Sequence, residues 1–168
     1  MYQRLLTVLL VSLVLSSCSR PLSTRASSLE DAADYHLTAL LDGDPTAFHA
    51  TLMTFEEYAA LIHPHLPEAQ RMSAETKWRA FTGVRRPASV SFKVGLYNQK
   101  GWKLESVETP RATFDYDKIK VHRRIPVTLV REVDGQQETR RDDSLLGVVV
   151  ERGGRFMILN VLDESKVD

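Results

Sequence analysis

The 168-residue chain carries 22 basic and 22 acidic side chains, so its formal net charge at pH 7 is zero. A neutral chain lacks the excess of lysine and arginine that attracts phosphate, and we therefore expect no nucleic-acid partner. Its single cysteine excludes a disulfide within the chain and a metal site built from several thiolates. The length is enough for one domain with a sizeable core.

A short cationic start leads into the apolar run 5–15, which ends at Leu15-Ser16-Ser17-Cys18. This run is well below the ~20 residues that a permanent membrane-spanning helix needs. It resembles the signal sequence and lipobox of bacterial lipoproteins, in which an aliphatic residue and two small residues precede a cysteine. The resemblance implies cleavage between Ser17 and Cys18, and a lipid anchor, with palmitate, on Cys18.

Under this interpretation, residues 1–17 are a signal peptide, residues 18–28 are the lipidated cysteine and a flexible tether, and residues 29–168 form one α+β domain. Ser19 occupies the position where an aspartate marks inner-membrane retention in the enterobacterial pattern. The resemblance therefore favours the outer membrane, with the domain facing the periplasm. An ordinary secretory signal and a buried N-terminal helix are the alternatives for this segment.

Apolar residues at helical spacing predict four helices in the first half of the domain. Ser28 and Asp44 are expected N-caps, and Thr54 with Glu57 forms a capping box. The predicted helices run from Leu29 to Leu41, from Pro45 to Leu52, from Phe55 to His63 and from Ala74 to Thr82.

From Ser89 onward the apolar period changes to two, which predicts strands joined in hairpins. The last two strands are apolar on both faces. We therefore expect them at the centre of a sheet, with helices on one side and a partner subunit or other cover on the other. The predicted strands are Val90–Tyr97, Trp102–Glu108, a long strand through Ile119 to Leu129, a strand ending in Leu145 to Val150, and Phe156–Leu162.

Helices followed by hairpins predict an α+β fold, with N-terminal helices packed on a curved antiparallel sheet of about four to five strands. The element order and the closing pattern Val-Val-Glu-Arg-Gly-Gly-Arg-Phe-Met-Ile-Leu-Asn-Val resemble the cone-shaped nuclear transport factor 2-like superfamily, over roughly residues 29–163. A cystatin-like helix-on-sheet fold is the alternative. Members of the superfamily use the cone as a ligand pocket, an active site or a dimerisation scaffold, so the resemblance leaves the role open.

Superfamily members that isomerise or dehydrate small molecules place an Asp or His base in the cone, opposite a Tyr or Asp donor. None of the residues of these types lies in a motif that matches a catalytic member, so no catalytic residue is assigned. The neighbours Asp34 to His36 are expected at the edge of the buried stripe of the first helix. The residues considered are Asp34, Tyr35, His36, Tyr58, Asp115 and His122.

His63-Pro64-His65, with His49 upstream, is the one candidate for metal binding. A structural zinc needs four ligands, and a solvated loop is the favoured interpretation, so neither a metal nor a cofactor is predicted. Aromatic residues such as Trp78, Trp102 and Phe92 are expected in the core, and no ligand-binding residue can be named.

Arginines occur in pairs at Arg85-Arg86, Arg123-Arg124 and Arg140-Arg141, and on a strand the two members of a pair must point to opposite faces. Arg123 is in phase with Val121, toward the apolar side. A guanidinium there requires a carboxylate or an anionic ligand. The expected internal partners are Glu132, Glu138, Asp142 and Asp143.

The sequence therefore favours a lipid-anchored envelope module that binds a ligand or takes part in protein assembly without catalysis. A small-molecule isomerase or hydrolase that uses the cone cavity is the alternative. The predicted partner is the membrane, through the lipid on Cys18. A homodimer through the sheet and an unidentified envelope protein are left open.

Overall fold

The first helix begins where its sequence predicts, because the Ser28 hydroxyl accepts a hydrogen bond from the Asp31 N–H at 3.0 Å. This computed structural model describes residues 26–82, 92–97 and 100–160. The predicted lipidation site at Cys18, most of the tether and Arg85-Arg86 lie outside the described residues.

Hydrogen bonds to capping side chains also define where the next two helices begin. Asp44 accepts from the Thr46 N–H at 2.8 Å, and Thr54 and Glu57 form the predicted capping box. The α-helices are α1 (Leu29–Leu41), α2 (Pro45–Thr51), the short α3 (Phe55–Glu57) and α4 (Ala74–Thr82). None of the helices in the described ranges is long and apolar enough to cross a bilayer.

The third predicted helix changes its winding along its length. After α3 the chain forms a π-helical turn, Tyr58–Ile62, and then the 3₁₀ turns His63–His65 and Pro67–Gln70. Prolines lack an N–H and disfavour helix at the residue before them, so Pro64 and Pro67 prevent a continuous α-helix.

Seven strands in the described residues form two antiparallel sheets, and the predicted α+β fold is confirmed. The first sheet has the order β1-β4-β5 and the second has the order β2-β3-β6-β7. The strands are β1 (Lys103–Val107), β2 (Ala112–Tyr116), β3 (Ile119–Arg123), β4 (Val127–Val133), β5 (Gln136–Asp142), β6 (Val148–Arg152) and β7 (Arg155–Asn160).

Two strand predictions were wrong. The predicted strand 90–97 is helical over residues 92–97, so β1 pairs with β4 instead of with a preceding strand. The predicted long strand from Ile119 to Leu129 is broken after Arg123, because Arg124 adopts a left-handed conformation with φ of 51° and Pro126 has no N–H. Its two halves belong to different sheets.

The last two strands, β6 and β7, are apolar on both faces, as predicted, and this chain itself packs against both faces. Val150 and Met157 pack in a cluster with Tyr58 and Ile62 on one face. Val149 and Ile158 alternate with them along the strands and pack in the cluster that contains residues of α1, α2 and β4.

The outer edge of β7 is covered by two short backbone bridges. The Phe156 N–H donates to the Ala26 carbonyl at 3.0 Å, and the Met53 N–H donates to the Ile158 carbonyl at 2.8 Å. The chain before α1 and the chain after α2 therefore hold the helices against this strand.

Candidate functional site

The end of β5 carries a buried carboxylate, Asp142, that organises the turn into the next strand. Its Oδ1 accepts from both the N–H and the hydroxyl of Ser144, each at 2.7 Å. Its Oδ2 accepts from the Tyr97 hydroxyl and from the Arg140 guanidinium, which is 3.2 Å away. Each carboxylate oxygen therefore has two hydrogen-bond donors, an arrangement that stabilises the ionised form.

Opposing effects act on the pKa of Asp142. Burial by itself raises it, but the hydrogen bonds from Tyr97 and Ser144 and the charge of Lys93 together hold the pKa below its usual value. The pKa of Tyr97 is raised above its usual value, first by burial and then by its bond to the negatively charged Asp142. At neutral pH the pair is therefore an ionised carboxylate and a protonated phenol.

Lys93 lies on the helical segment 92–97 and is only 5% exposed. Its Nζ donates to the backbone carbonyl of Ser144 and, at 3.0 Å, to that of Leu145. Burial lowers the pKa of Lys93 to about 8, while the negative charge of Asp142 opposes the shift. Lys93 thus fastens the helical segment to the β5–β6 turn.

His36 is completely buried on α1, which corrects the prediction that it lies at the edge of the buried stripe. The cause is α2, whose Thr51 and Phe48 pack against it. The Thr51 hydroxyl donates to the Phe48 carbonyl at 2.7 Å, so its oxygen accepts from His36 Nδ1, also at 2.7 Å. Nε2 is then the unprotonated nitrogen, and it has no hydrogen-bond partner among the described residues.

The surroundings of His36 keep its ring neutral. Burial lowers the pKa of His36 well below its ordinary value, and the positive charge of Lys93 lowers it further. The Phe48 ring lies with its centroid 4.4 Å from that of the imidazole. His36, Lys93, Tyr97 and Asp142 are all buried, and the charge of Lys93 acts on both His36 and Asp142, so we call these four residues the buried polar cluster.

A second polar group crosses the four-stranded sheet at His122. Its Nδ1 is 3.0 Å from the Thr113 hydroxyl on β2, its Nε2 is 3.1 Å from the Glu151 carboxylate on β6, and its ring stacks on Phe156. The three polar side chains satisfy one another across adjacent strands.

The structure separates the other residues considered as catalytic. Asp34, Tyr35 and Asp115 are exposed, whereas Tyr58 is buried against the Trp78 ring, with 5.3 Å between centroids. Of the six residues, His36 alone belongs to the buried polar cluster.

His63 and His65 do not form a solvated loop as predicted. His63 is buried, and its Nε2 donates to the Met72 carbonyl at 2.9 Å. His65 lies 4.0 Å from Asp117. In the described part of the chain, no group of three histidine, cysteine, aspartate or glutamate side chains could hold a metal ion.

The arginines of the second half use internal partners. Arg131 pairs with Glu138 at 2.5 Å, and Arg141 pairs with Glu108 at 2.7 Å. Arg123 instead lies over the ring of Phe114, with 5.8 Å to its centroid, and its Nε has no hydrogen-bond partner within the described ranges.

Sequence reasoning missed Lys93, and it considered Asp142 only as a partner for arginine. Lys93 occupies a polar position of the alternating pattern predicted as a strand, which is a signal for exposure and not for burial. The spacing of Asp142 and Ser144 is that of an aspartate that caps its own turn. Neither signal shows that the two segments meet.

The predicted aromatic core residues divide between core and surface. Trp102 is buried, but Phe92 is 70% exposed. The Arg131 guanidinium lies 4.5 Å from the centre of the Trp102 ring.

No protein-family model, no curated protein sequence and no solved structure matches this chain.

Proposed function

We propose that the protein is a bacterial envelope lipoprotein, anchored through lipid on Cys18, whose domain of the nuclear transport factor 2-like type acts as a non-catalytic assembly module. The anchor rests on the run 5–15 and the sequence Leu15-Ser16-Ser17-Cys18. Two or three acyl chains hold a protein at the membrane, whereas one binds only marginally. The outer membrane, with the domain in the periplasm, is the proposed location.

The observation that carries the assembly role is that the buried Lys93 and Asp142 side chains bond to groups of this chain. Lys93 and Asp142 are each less than a tenth exposed, and the polar atoms described for them bond to Ser144, Leu145, Tyr97 and Arg140. A catalytic acid or base, or a polar ligand-binding group, must instead have a free position to offer its substrate. Asp142, with two donors on each oxygen, offers no such position, which supports a structural role for Asp142 and Lys93, with the interactions of the protein on its surface.

Native mass spectrometry of the detergent-extracted full chain tests this role. The proposal predicts masses of the protein alone or of its assemblies, with no small molecule bound in a fixed ratio. A stoichiometric small molecule that survives extraction would overturn the assembly role in favour of a ligand-binding one.

A small-molecule isomerase or hydrolase is the second candidate, and His36 is the observation that favours it. The unprotonated Nε2 of His36 has no hydrogen-bond partner among the described residues and is a candidate general base, although the lowered pKa of the ring makes it a weak one. If a small molecule co-purifies, its loss in His36→Gln and its retention in the control His49→Gln, at an exposed histidine of α2, would favour this candidate. Retention in both variants would place the molecule elsewhere.

A further inference from the structure

The two sheets have four outer strand edges, and three of them are protected against pairing with another chain. The β7 edge carries the backbone bridges to residues 26 and 52. Every side chain of β5 (Gln136–Asp142) is polar or charged. β1 is short, exposes Lys103 and Glu105, and has an irregularity in its pairing. Bridging chain, charge and bulges are devices that proteins use to prevent edge-to-edge pairing.

β2 (Ala112–Tyr116) is the fourth edge, and it has neither a bridging chain nor a bulge, and one charged side chain, Asp115. It forms the end of its sheet, and no described residue pairs with its outer side. It contains neither proline nor lysine, and the Phe114 side chain at its centre is 44% exposed. An exposed strand edge with an apolar side chain is a template for another strand.

The sequence of this edge is complementary to itself. If two copies of β2 run antiparallel with Phe114 opposite Phe114, then Arg111, just before the strand in each copy, comes near Asp117, the first residue of the turn after the strand, in the other. The same register sets Thr113 opposite Asp115, a hydroxyl facing a carboxylate. Aromatic pairs and opposite charges across two strands each stabilise pairing.

The charged side chains at the two ends of the strand are largely exposed, whereas the Thr113 hydroxyl already contacts His122. Arg111 lies 3.2 Å from Asp143, but its side chain is 53% exposed, and that of Asp117 is 76% exposed. The Arg123 guanidinium over Phe114 extends the aromatic contact with a cation on the same face.

Neighbouring registers are less favourable. A register centred on Asp115 sets two like charges directly opposite each other, which is destabilising. A register centred on Thr113 keeps a charge pair, Arg111 opposite Asp115, but it sets Phe114 opposite Ala112 and so loses the aromatic pair.

We propose that β2 pairs antiparallel with β2 of a second copy of this chain, in the register centred on Phe114, and so joins two four-stranded sheets into one. This inference deepens the proposed assembly role by naming the partner. A contact along one strand edge buries less area than a stable dimer needs. Anchorage of both copies in one membrane raises their effective concentration and favours the contact there.

Cysteine crosslinking in membranes that carry the full chain tests the register. Opposed Cα atoms of antiparallel strands lie about 4.5–5.5 Å apart, within reach of a disulfide. Phe114→Cys is expected to give a dimer under mild oxidation that a reductant reverses. The dimer yield of Thr113→Cys measures pairing in the register centred on Thr113. That of Thr139→Cys, at an exposed position on β5, measures crosslinking by random collision. The wild-type chain, whose single cysteine is Cys18, measures the background level of crosslinked dimer.

The second part of the test exchanges the charges at the two ends of the strand, in chains that also carry Phe114→Cys. Arg111→Asp should lower dimer yield roughly tenfold, because it sets like charges opposite each other at two symmetric positions. Adding Asp117→Arg should restore the yield. The loss of the Arg111–Asp143 pair within one chain cannot explain such a rescue.

Three outcomes would overturn the pairing: no dimer from Phe114→Cys above the Thr139→Cys level, an equal yield from Thr113→Cys, or no rescue by the double charge exchange. Palmitate labelling of the same membranes tests the lipid anchor independently of the strand pairing. A dimer without label would refute the lipid anchor but support the pairing. Label without a dimer would support the anchor but refute the pairing.

Discussion

The ammonium group of Lys93 donates a hydrogen bond to the backbone carbonyl of Leu145, 3.0 Å away and 52 residues later in the chain. The helical segment 92–97 is thereby joined to the β5–β6 turn through a buried charge. Burying a charge costs free energy unless partners compensate for it, and here the carbonyls and the nearby Asp142 do so only in part, since the pKa of Lys93 remains lowered.

We expect a pH dependence of stability from this lysine. The pKa of Lys93 is about 8 in the folded chain, against an ordinary value of 10.5, so the unfolded chain binds more protons between these values. Stability then rises with pH across this window. The free energy of unfolding of the wild type should therefore gain about 2 kcal/mol over that of Lys93→Met between pH 7 and 9.5.

Urea unfolding of both proteins at several pH values measures this difference, and the subtraction removes the contribution of every group that the two proteins share. Parallel curves from pH 7 to 9.5 would show that Lys93 titrates normally in the folded protein.

His36 predicts a loss of stability on the acidic side. Because the pKa of His36 is lowered in the folded chain, the unfolded chain alone takes up a proton as the pH falls through the ordinary histidine value. At pH 5.5 this costs about 1 kcal/mol relative to pH 7.5. His36→Gln should abolish this part of the acid sensitivity, and His49→Gln, at an exposed position, should retain it.

The comparison requires urea unfolding of the three proteins at pH 7.5 and 5.5. Equal acid sensitivity in wild type and His36→Gln would mean that the buried imidazole accepts a proton without unfolding.

Tyr97→Phe should destabilise the fold by about 2 kcal/mol, because it removes a hydrogen bond to a buried charged group and leaves Asp142 with fewer donors. Tyr35→Phe is the matched control, since Tyr35 is 55% exposed. Chemical denaturation measures both. Equal stabilities of the two variants would show that the hydrogen bond from Tyr97 to Asp142 does not stabilise the fold.

Local chemistry made part of this fold predictable. Ser28, Asp44 and the Thr54–Glu57 pair set helix starts through hydrogen bonds within a few residues, and Asp134-Gly135 forms a turn with positive φ at both residues. Each of these signals depends only on neighbours in sequence.

The error at residues 92–97 has a physical explanation. The alternation of Phe92, Val94 and Leu96 indicated a strand, but a run this short does not distinguish strand from helix. The structure buries Lys93, Val94 and Tyr97, which share one face of a helix, and exposes Phe92. The burial of Lys93 depends on carbonyls about 50 residues away, which no local pattern reveals.

The candidate site was less predictable than the fold for the same reason. His36 was considered among six residues, but its burial depends on the packing of α2 against α1. β2 was not predicted as a strand at all, because its sequence Ala-Thr-Phe-Asp-Tyr is short and largely exposed. Edge strands bury little apolar surface and so leave a weak pattern.

Palmitate labelling of cells that express the wild type or Cys18→Ser tests the lipid anchor most directly, with the mass of the mature protein as a second readout. The account predicts a labelled wild type that has lost residues 1–17, and an unlabelled, unprocessed variant. Maturation and membrane retention of Cys18→Ser at wild-type levels, or a wild type without label, would contradict the anchor on which the proposed function rests.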